Sequence, residues 1–366
     1  MLSLFRRKSA SAPEATFKSR VRDFWEWYAT VAPRYSQIIK SGNSHSLAGE
    51  VSEKVKDLGP GFAWVFGSGP GGNGHSLTLS GEGNLHRQLL AMCWLALAPR
   101  LAGWTFYAAR EPGSIKGIKM EIGNLKFDPA EFWVSVVADS EKEKADIVVW
   151  HPLFDSMEQG KRWTVLFLFL DEVLGEYGTE QWIGEIKLEP TRLRDSMPLE
   201  ELGEAIHRIR VASGWKRLPP GEQLVGYQCR EQHDRFLRGD VVTGTTTHPR
   251  LLNEYVEANG EMEDALDGTG ADYVFVAFDT QTLPADDAMS VRAKIEDSLD
   301  QALKKSTCGR LLGGASGRVN SYIDLLIFDG EESNRIVQGV LLDQALPAGS
   351  SINYFAKEKR GLKIVL

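Results

Sequence analysis

One spacing of titratable residues in this 366-residue chain invites chemistry. Asp171 closes the apolar run 163–170, and Glu185-Ile186-Lys187 begins fourteen residues after it. Read as neighbouring strands, the two stretches place an acid at a strand end opposite an E-x-K pair. That resembles the motif of metal-dependent restriction-type nucleases, although their core needs a mixed sheet with a helix before the acidic strand. Their carboxylates hold a divalent cation through oxygen ligands, and the lysine orients or activates the attacking water. Asp171, Glu185 and Lys187 are therefore the candidate catalytic residues of a phosphodiesterase. Two considerations oppose this. Alternating Glu and Lys is ordinary on a half-exposed strand, and Glu172, Glu176 and Glu180 would repel a phosphate backbone unless metals offset them.

Other chemical signatures are weaker. Gly67, Gly69 and Gly72 fit G-x-G-x-x-G, but the stretch after them reads as a strand, so no helix N-terminus faces a pyrophosphate. The seven histidines show neither H-E-x-x-H nor clustering with cysteine. A G-x-S-x-G elbow is missing. Cys93, Cys229 and Cys308 are too scattered for a disulfide framework or a thiolate metal site, which suits a reducing cytoplasm. The expectation is no cofactor and no metal, with a non-catalytic role favoured over the phosphodiesterase alternative.

Composition narrows the partner class. Asp and Glu total 50 against 42 Lys and Arg, a net charge of −8, so nucleic acid and anionic membrane are not expected partners. Another protein is expected because no catalytic cluster is evident and the element order suggests binding scaffolds. The longest strongly apolar run is too short for a spanning helix of about 20 residues. Charges follow the short apolar start at 1–8, the reverse of a secretory signal. The expected location is the cytoplasm, with 1–15 a disordered tail.

The elements that must position these residues follow from periodicity. Phe17, Val21, Phe24, Trp25, Tyr28 and Val31 recur at three- and four-residue intervals, predicting an amphipathic helix that Pro33 kinks or ends. A second helix covers 47–58. Residues 62–66 and 75–80 form a hairpin across a Gly-rich turn, followed by a helix over 85–98 and a strand at 104–108. Stretches 132–137 and 145–150 form another hairpin. The run 163–170, apolar on both faces, predicts a central strand buried on two sides, with 182–188 as its partner. Most of the tryptophans in such strands read as core, and Trp27 reads as the best exposed one.

All ten tryptophans precede residue 216, and Pro219-Pro220 follows, so a junction is expected near 216–222. Beyond it, strand 273–278, helix 291–303, a strand pair around the turn 313–317, helix 332–341 and strand 351–355 give β-α-β-β-α-β. The helix–strand–Gly turn–strand–helix–Pro–strand order also occurs before the junction and suggests a degenerate duplication. The predicted fold is α+β: two αβ-sandwich, ferredoxin-like domains with mainly antiparallel sheets, at 16–216 and 217–366.

Four stretches carry a resemblance: Phe24-Trp25-Glu26-Trp27, residues 76–83 (SLTLSGEG), residues 98–104 (APRLAGW) and residues 313–317 (GGASG). They resemble a family of uncharacterised bacterial proteins. The C-terminal unit is also similar in element order to the ribonuclease-activity regulator proteins. These resemblances imply a bacterial cytoplasmic protein and a fold, and supply no catalytic residues.

Overall fold

A computed structural model describes residues 15–366 apart from 118, 119, 123, 124, 217, 231, 282–284 and 345. The tail expected at 1–15 lies, but for Ala15, outside the described residues. Along the chain, α1 (Phe17–Lys40), α2 (Ala48–Leu58), β1 (Ala63–Ser68), β2 (His75–Ser80), α3 (Leu85–Ala96) and β3 (Trp104–Tyr107) come first. Next are β4 (Met120–Ile122), β5 (Leu125–Phe127), β6 (Trp133–Asp139), β7 (Lys144–Trp150), α4 (Gln159–Leu174), α5 (Glu176–Trp182), β8 (Ile183–Leu188), β9 (Met197–Pro198) and α6 (Leu202–Ser213). The remainder holds β10 (Val225–Gln228), β11 (Val241–Thr246), α7 (Pro249–Glu257), β12 (Asp272–Asp279) and α8 (Ala285–Ser306). It ends with β13 (Gly309–Gly317), β14 (Asn320–Ile327), α9 (Gly330–Leu342), β15 (Ser351–Tyr354) and β16 (Ile364–Val365).

The chain divides into two compact units. One combines the described residues of Met1–Pro60 with Ala96–Arg100 and Leu224–Leu366; the other is Gly61–Leu95 with Leu101–Gln223. This corrects the expected domain at 16–216. Its N-terminal helices fold with the far end of the chain because α1 docks there. The Phe17 amide donates to Gly270 O at 3.0 Å and the Lys18 amide to Phe328 O at 2.9 Å. The buried Lys18 ammonium donates to Ser306 O at 2.8 Å and pairs with Asp329 at 3.3 Å. Composition reports a stretch's chemistry and cannot report such a long-range docking. The helix also continues through Pro33 to Lys40 instead of ending there. Trp27 is half-buried, its ring 5.4 Å from that of Phe24 and 5.8 Å from that of Tyr28, and not freely exposed.

The first unit carries a sheet of order β10-β11-β13-β14-β12-β15-β16, antiparallel throughout. Helices α8 and α9 cover one face, burying Ile295, Leu299, Leu303 and Val337 against Val274, Val276, Ile323 and Leu325. The alternate residues Phe275, Tyr322 and Asp324 face the other way and are also buried, so both faces of the sheet are covered. Gly313 to Gly317, expected as a turn, is instead the end of β13. The reason is close approach: a Cβ on Gly313 would stand 2.1 Å from Thr245 O, and one on Gly314 would stand 2.0 Å from the Glu296 carboxylate.

In the second unit, β1-β2-β3 form one sheet, with β2 and β3 parallel, and β8-β7-β6-β9 form another, with β7 and β8 parallel. Neither sheet has the strand order of the first unit. The run 163–170 is not a strand. It lies inside α4, whose buried residues Val165, Leu166, Phe169, Leu170, Val173 and Leu174 repeat with helical spacing over sixteen residues. Four of the eight residues in the expected strand belong to that stripe, so an eight-residue window looked uniformly apolar. The stripe packs with Leu202 and Ile206 of α6 against Val134, Ile147 and Val149.

Candidate functional site

A cleft of about 520 Å3 opens in the second unit. Residues Thr164, Phe167, Leu168 and Asp171 line it from α4, and their spacing of three and four puts them on one helix face. Ile183 and Ile186 of β8 line it as well. They share a face because of a bulge: Ile183 pairs with Ala145 and Ile186 with Ile147, leaving Gly184 and Glu185 opposite Asp146.

The polar side comes from three separate stretches. Gly175 turns the chain with φ +76°, where a Cβ would come within 2.8 Å of Arg110 O. This close approach lets the Glu176 amide donate to Arg110 O at 3.0 Å as α5 begins. The Glu176 carboxylate, 2 % exposed, accepts from the Gly83 amide at 3.0 Å and from Gln88 Nε2 at 3.1 Å. The Ser80 hydroxyl lies 2.8 Å from carboxylate oxygens of both Glu176 and Glu82 and can donate to one at a time. Arg110 forms an ion pair with Glu82, a residue held at φ +53° in the turn between two glycines.

These neighbours set the charge states. Burial pushes the Asp171 carboxyl up to about 6; the Thr179 hydrogen bond and the Arg110 charge oppose that, while Glu176 and Glu82 add to it. For Glu82, burial also works upward, but hydrogen bonds from Arg110 and Ser80 outweigh it and hold the carboxyl below its ordinary range. Burial works against the Arg110 charge, and the Glu82 contact more than restores it, so the guanidinium is held more firmly protonated. The lining holds four carboxylates, Glu82, Asp171, Glu176 and Glu180, and one arginine; Arg110 interacts with the first three and is engaged by its partner Glu82.

Of the three residues singled out by spacing, Asp171 reaches this cleft. Glu185 and Lys187 do not: they pair with each other at 3.2 Å and are 62 % and 59 % exposed. The expected strand ending in Asp171 is a helix, so the acid and the E-x-K pair do not stand on adjacent strands. Among the described residues, no three His, Cys, Asp or Glu side chains gather as a metal site requires. The glycines at 67, 69 and 72 lead into β2, another strand. No protein-family model, curated protein or solved structure matches this chain. The resemblances drawn from short stretches therefore stand on those stretches alone. Among the described residues, no helix is long and apolar enough to cross a membrane.

The sequence offers no sign that Glu82, Arg110 and Glu176 meet, although Glu176 stands out as one of the acids near Asp171. They lie up to 94 positions apart and belong to no motif. One signal was available: Glu82 sits in Ser80-Gly81-Glu82-Gly83, where two glycines at a strand end mark a turn.

Proposed function

We propose that this chain is a non-catalytic binding protein, and that the cleft of the second unit takes a basic side chain of a protein partner. The carrying observation is the mismatch between carboxylates and cations. Asp171 faces a cleft whose lining arginine is already committed to Glu82. Phe167, 43 % exposed, and Leu168 offer an apolar wall beside it. A lysine or arginine fits this combination, with its aliphatic stem along the wall and its charged head at Asp171. Such a cation would offset the cost of a half-buried carboxylate and draw the Asp171 proton off.

A fold reading of the other unit accompanies this proposal: the stretch 272–354 is a ferredoxin-like module. Its β-α-β-β-α-β order and the neighbour order β15-β12-β14-β13 support that reading. Such modules commonly serve as scaffolds for binding, which is an argument from analogy.

The test is calorimetry with a lysine- and arginine-rich peptide and a glutamine-substituted peptide of equal length. The basic peptide is expected to bind and the neutral one not, with Asp171→Asn weakening binding about tenfold, or about 1.4 kcal/mol. Equal binding of both peptides, or an unchanged affinity in the variant, overturns the reading.

A further inference from the structure

A second cavity, of about 320 Å3, lies in the first unit and has the opposite character. Its floor is aromatic, formed by Phe236, Tyr255 and Phe275. These rings pack edge to face, with Phe236 and Tyr255 centroids 5.7 Å apart and Tyr255 and Phe275 centroids 6.1 Å apart. Arg235, Arg360 and Lys363 line the cavity. Arg360 is occupied, pairing with Glu261 at 2.5 Å. Arg235 and Lys363 have no ion-pair partner among the described residues, which is notable in a chain of net charge −8. Asp234, the acid next to Arg235, is engaged elsewhere by Arg318 at 2.9 Å.

The loop that carries Arg235 is fixed from beneath. The His233 amide donates to Gly239 O at 2.8 Å and the Gly239 amide to Phe236 O at 2.9 Å, closing the loop on itself. Arg238 adopts φ +79°, which a non-glycine residue holds only against a cost of about 1–3 kcal/mol. Its guanidinium, buried to 4 % exposure, pairs with the buried Asp324. It also lies 5.1 to 5.5 Å from the rings of Phe275, Tyr322 and Phe355. Its backbone amide donates to the Tyr322 hydroxyl at 3.1 Å, and that hydroxyl donates to Asp240 at 2.5 Å. Asn353, on the cavity wall, has its amide nitrogen fixed by Ser351 O at 3.2 Å.

We propose that this cavity binds a small molecule bearing an anionic group on a planar ring. The ring stacks on Phe236, the half-buried ring of a floor whose Tyr255 and Phe275 are buried, and Arg235 and Lys363 meet the phosphoryl or carboxyl group at the rim. A pinned loop suits such a role because the backbone that carries the arginine is held before the ligand arrives. The proposal is independent of the acidic cleft.

Calorimetry on the full chain with phenyl phosphate, benzoate and inorganic phosphate tests it. Phenyl phosphate or benzoate is expected to bind at about 1 mM or tighter, and whichever binds names the anionic group. The double variant Arg235→Gln/Lys363→Gln should weaken that binding at least tenfold with an unchanged melting temperature, since both side chains are exposed. Three results overturn the proposal: neither ring compound binds, inorganic phosphate binds as tightly as phenyl phosphate, or the double variant retains wild-type affinity. Binding that Phe236→Ala leaves intact, in a variant whose melting shows it folded, also overturns it, because the ring would then have no platform.

Discussion

The two cavities differ in what is left unpaired. In the cleft of the 61–223 unit, carboxylates outnumber cations and the wall is aliphatic and aromatic; in the pocket of the other unit, Arg235 and Lys363 lack acids and the floor is aromatic. They differ equally in what holds them from below. The cleft rests on Glu176, a buried carboxylate served by three uncharged donors. The pocket rests on a buried ion pair, Arg238 with Asp324. Uncharged donors satisfy a carboxylate without adding a second ion to desolvate, whereas a buried pair must recover the desolvation of both its members. The first arrangement leaves a surplus of negative charge at the surface of the cleft, and the second leaves the rim cations of the pocket unengaged.

Breaking the ion pair should have the largest effect. Arg238→Met leaves Asp324 buried without its cation, and Asp324 Oδ2 already has no hydrogen-bond partner. A loss of about 3–5 kcal/mol is expected in denaturant melts. The double variant Arg238→Met/Asp324→Leu should recover much of it, since no isolated charge remains. A single-variant loss under about 1 kcal/mol would show that the pair is not the anchor of the loop. Affinity of the cleft for a basic peptide should be unchanged by any of these substitutions under folded conditions.

The matching substitution in the other unit is Glu176→Ala. It strands the Gly83 amide and leaves Gln88 Nε2 only a 3.5 Å contact to Glu180, while the Ser80 hydroxyl keeps Glu82, at an expected cost of about 1–3 kcal/mol. Hydrogen exchange read separately over 61–223 and 224–366 should place the loss in the former. Equal loss in both would collapse the distinction between the two anchors.

Asp171→Asn is expected to do the reverse. The folded carboxyl titrates near 6 and an unfolded one near 3.8, so the folded state binds more protons between those values. Stability from this group therefore falls as pH rises from about 4 through 6 and stays low above it. The variant, which carries no such charge, should be more stable than the parent at pH 7.5 by about 1 kcal/mol, allowing for solvent screening in the open cleft. That advantage should vanish by about pH 4. Binding of a basic peptide should show the opposite trend in the parent, tightening as pH rises through 6, and should lose this dependence in the variant. A variant less stable at pH 7.5, or a parent with flat pH dependence of binding, would remove Asp171 from the cleft chemistry.

Much of the first unit could be read from residue patterns, and most of the cleft could not. Continuous apolar runs in β12 and β14, buried on both faces, and four-residue apolar spacing in α8 stand out locally, so the β-α-β-β-α-β order is legible. The run at 163–170 failed because a helix buried over a wide arc shows the same local apolarity as a two-sided strand, and only its sixteen-residue length separates them. The Gly-rich run at 313–317 failed for a different reason. Glycine there answers to neighbours on β11 and α8 that no local window contains. The apparent duplication dissolves on the same ground. β2 pairs directly with β3, whereas β12 stands between β14 and β15, and α2, which precedes β1, folds with the other unit. Cleft chemistry depends on Glu82, Arg110 and Glu176 meeting across long separations, and spacing carries no trace of such meetings.

The smallest expected effect concerns the two residues that first drew attention. Glu185 and Lys187 form a solvent-exposed pair on β8, worth about 0–0.5 kcal/mol in water. Replacing both with glutamine should leave the melting temperature and basic-peptide affinity essentially unchanged, because the cleft is lined by their neighbours Gly184 and Ile186 and by neither of them. The phosphodiesterase alternative requires the opposite. On that reading the parent cleaves a phosphodiester substrate in magnesium or manganese, and Glu185→Gln or Lys187→Gln abolishes cleavage without touching stability. The substitution thus separates the two readings where Asp171 cannot, since Asp171 serves both. Metal-dependent cleavage lost in Glu185→Gln would move the functional centre from the cleft to the exposed face of β8. The helix carrying Asp171 would then have to rearrange to reach it, because its present face turns toward Ile183 and Ile186.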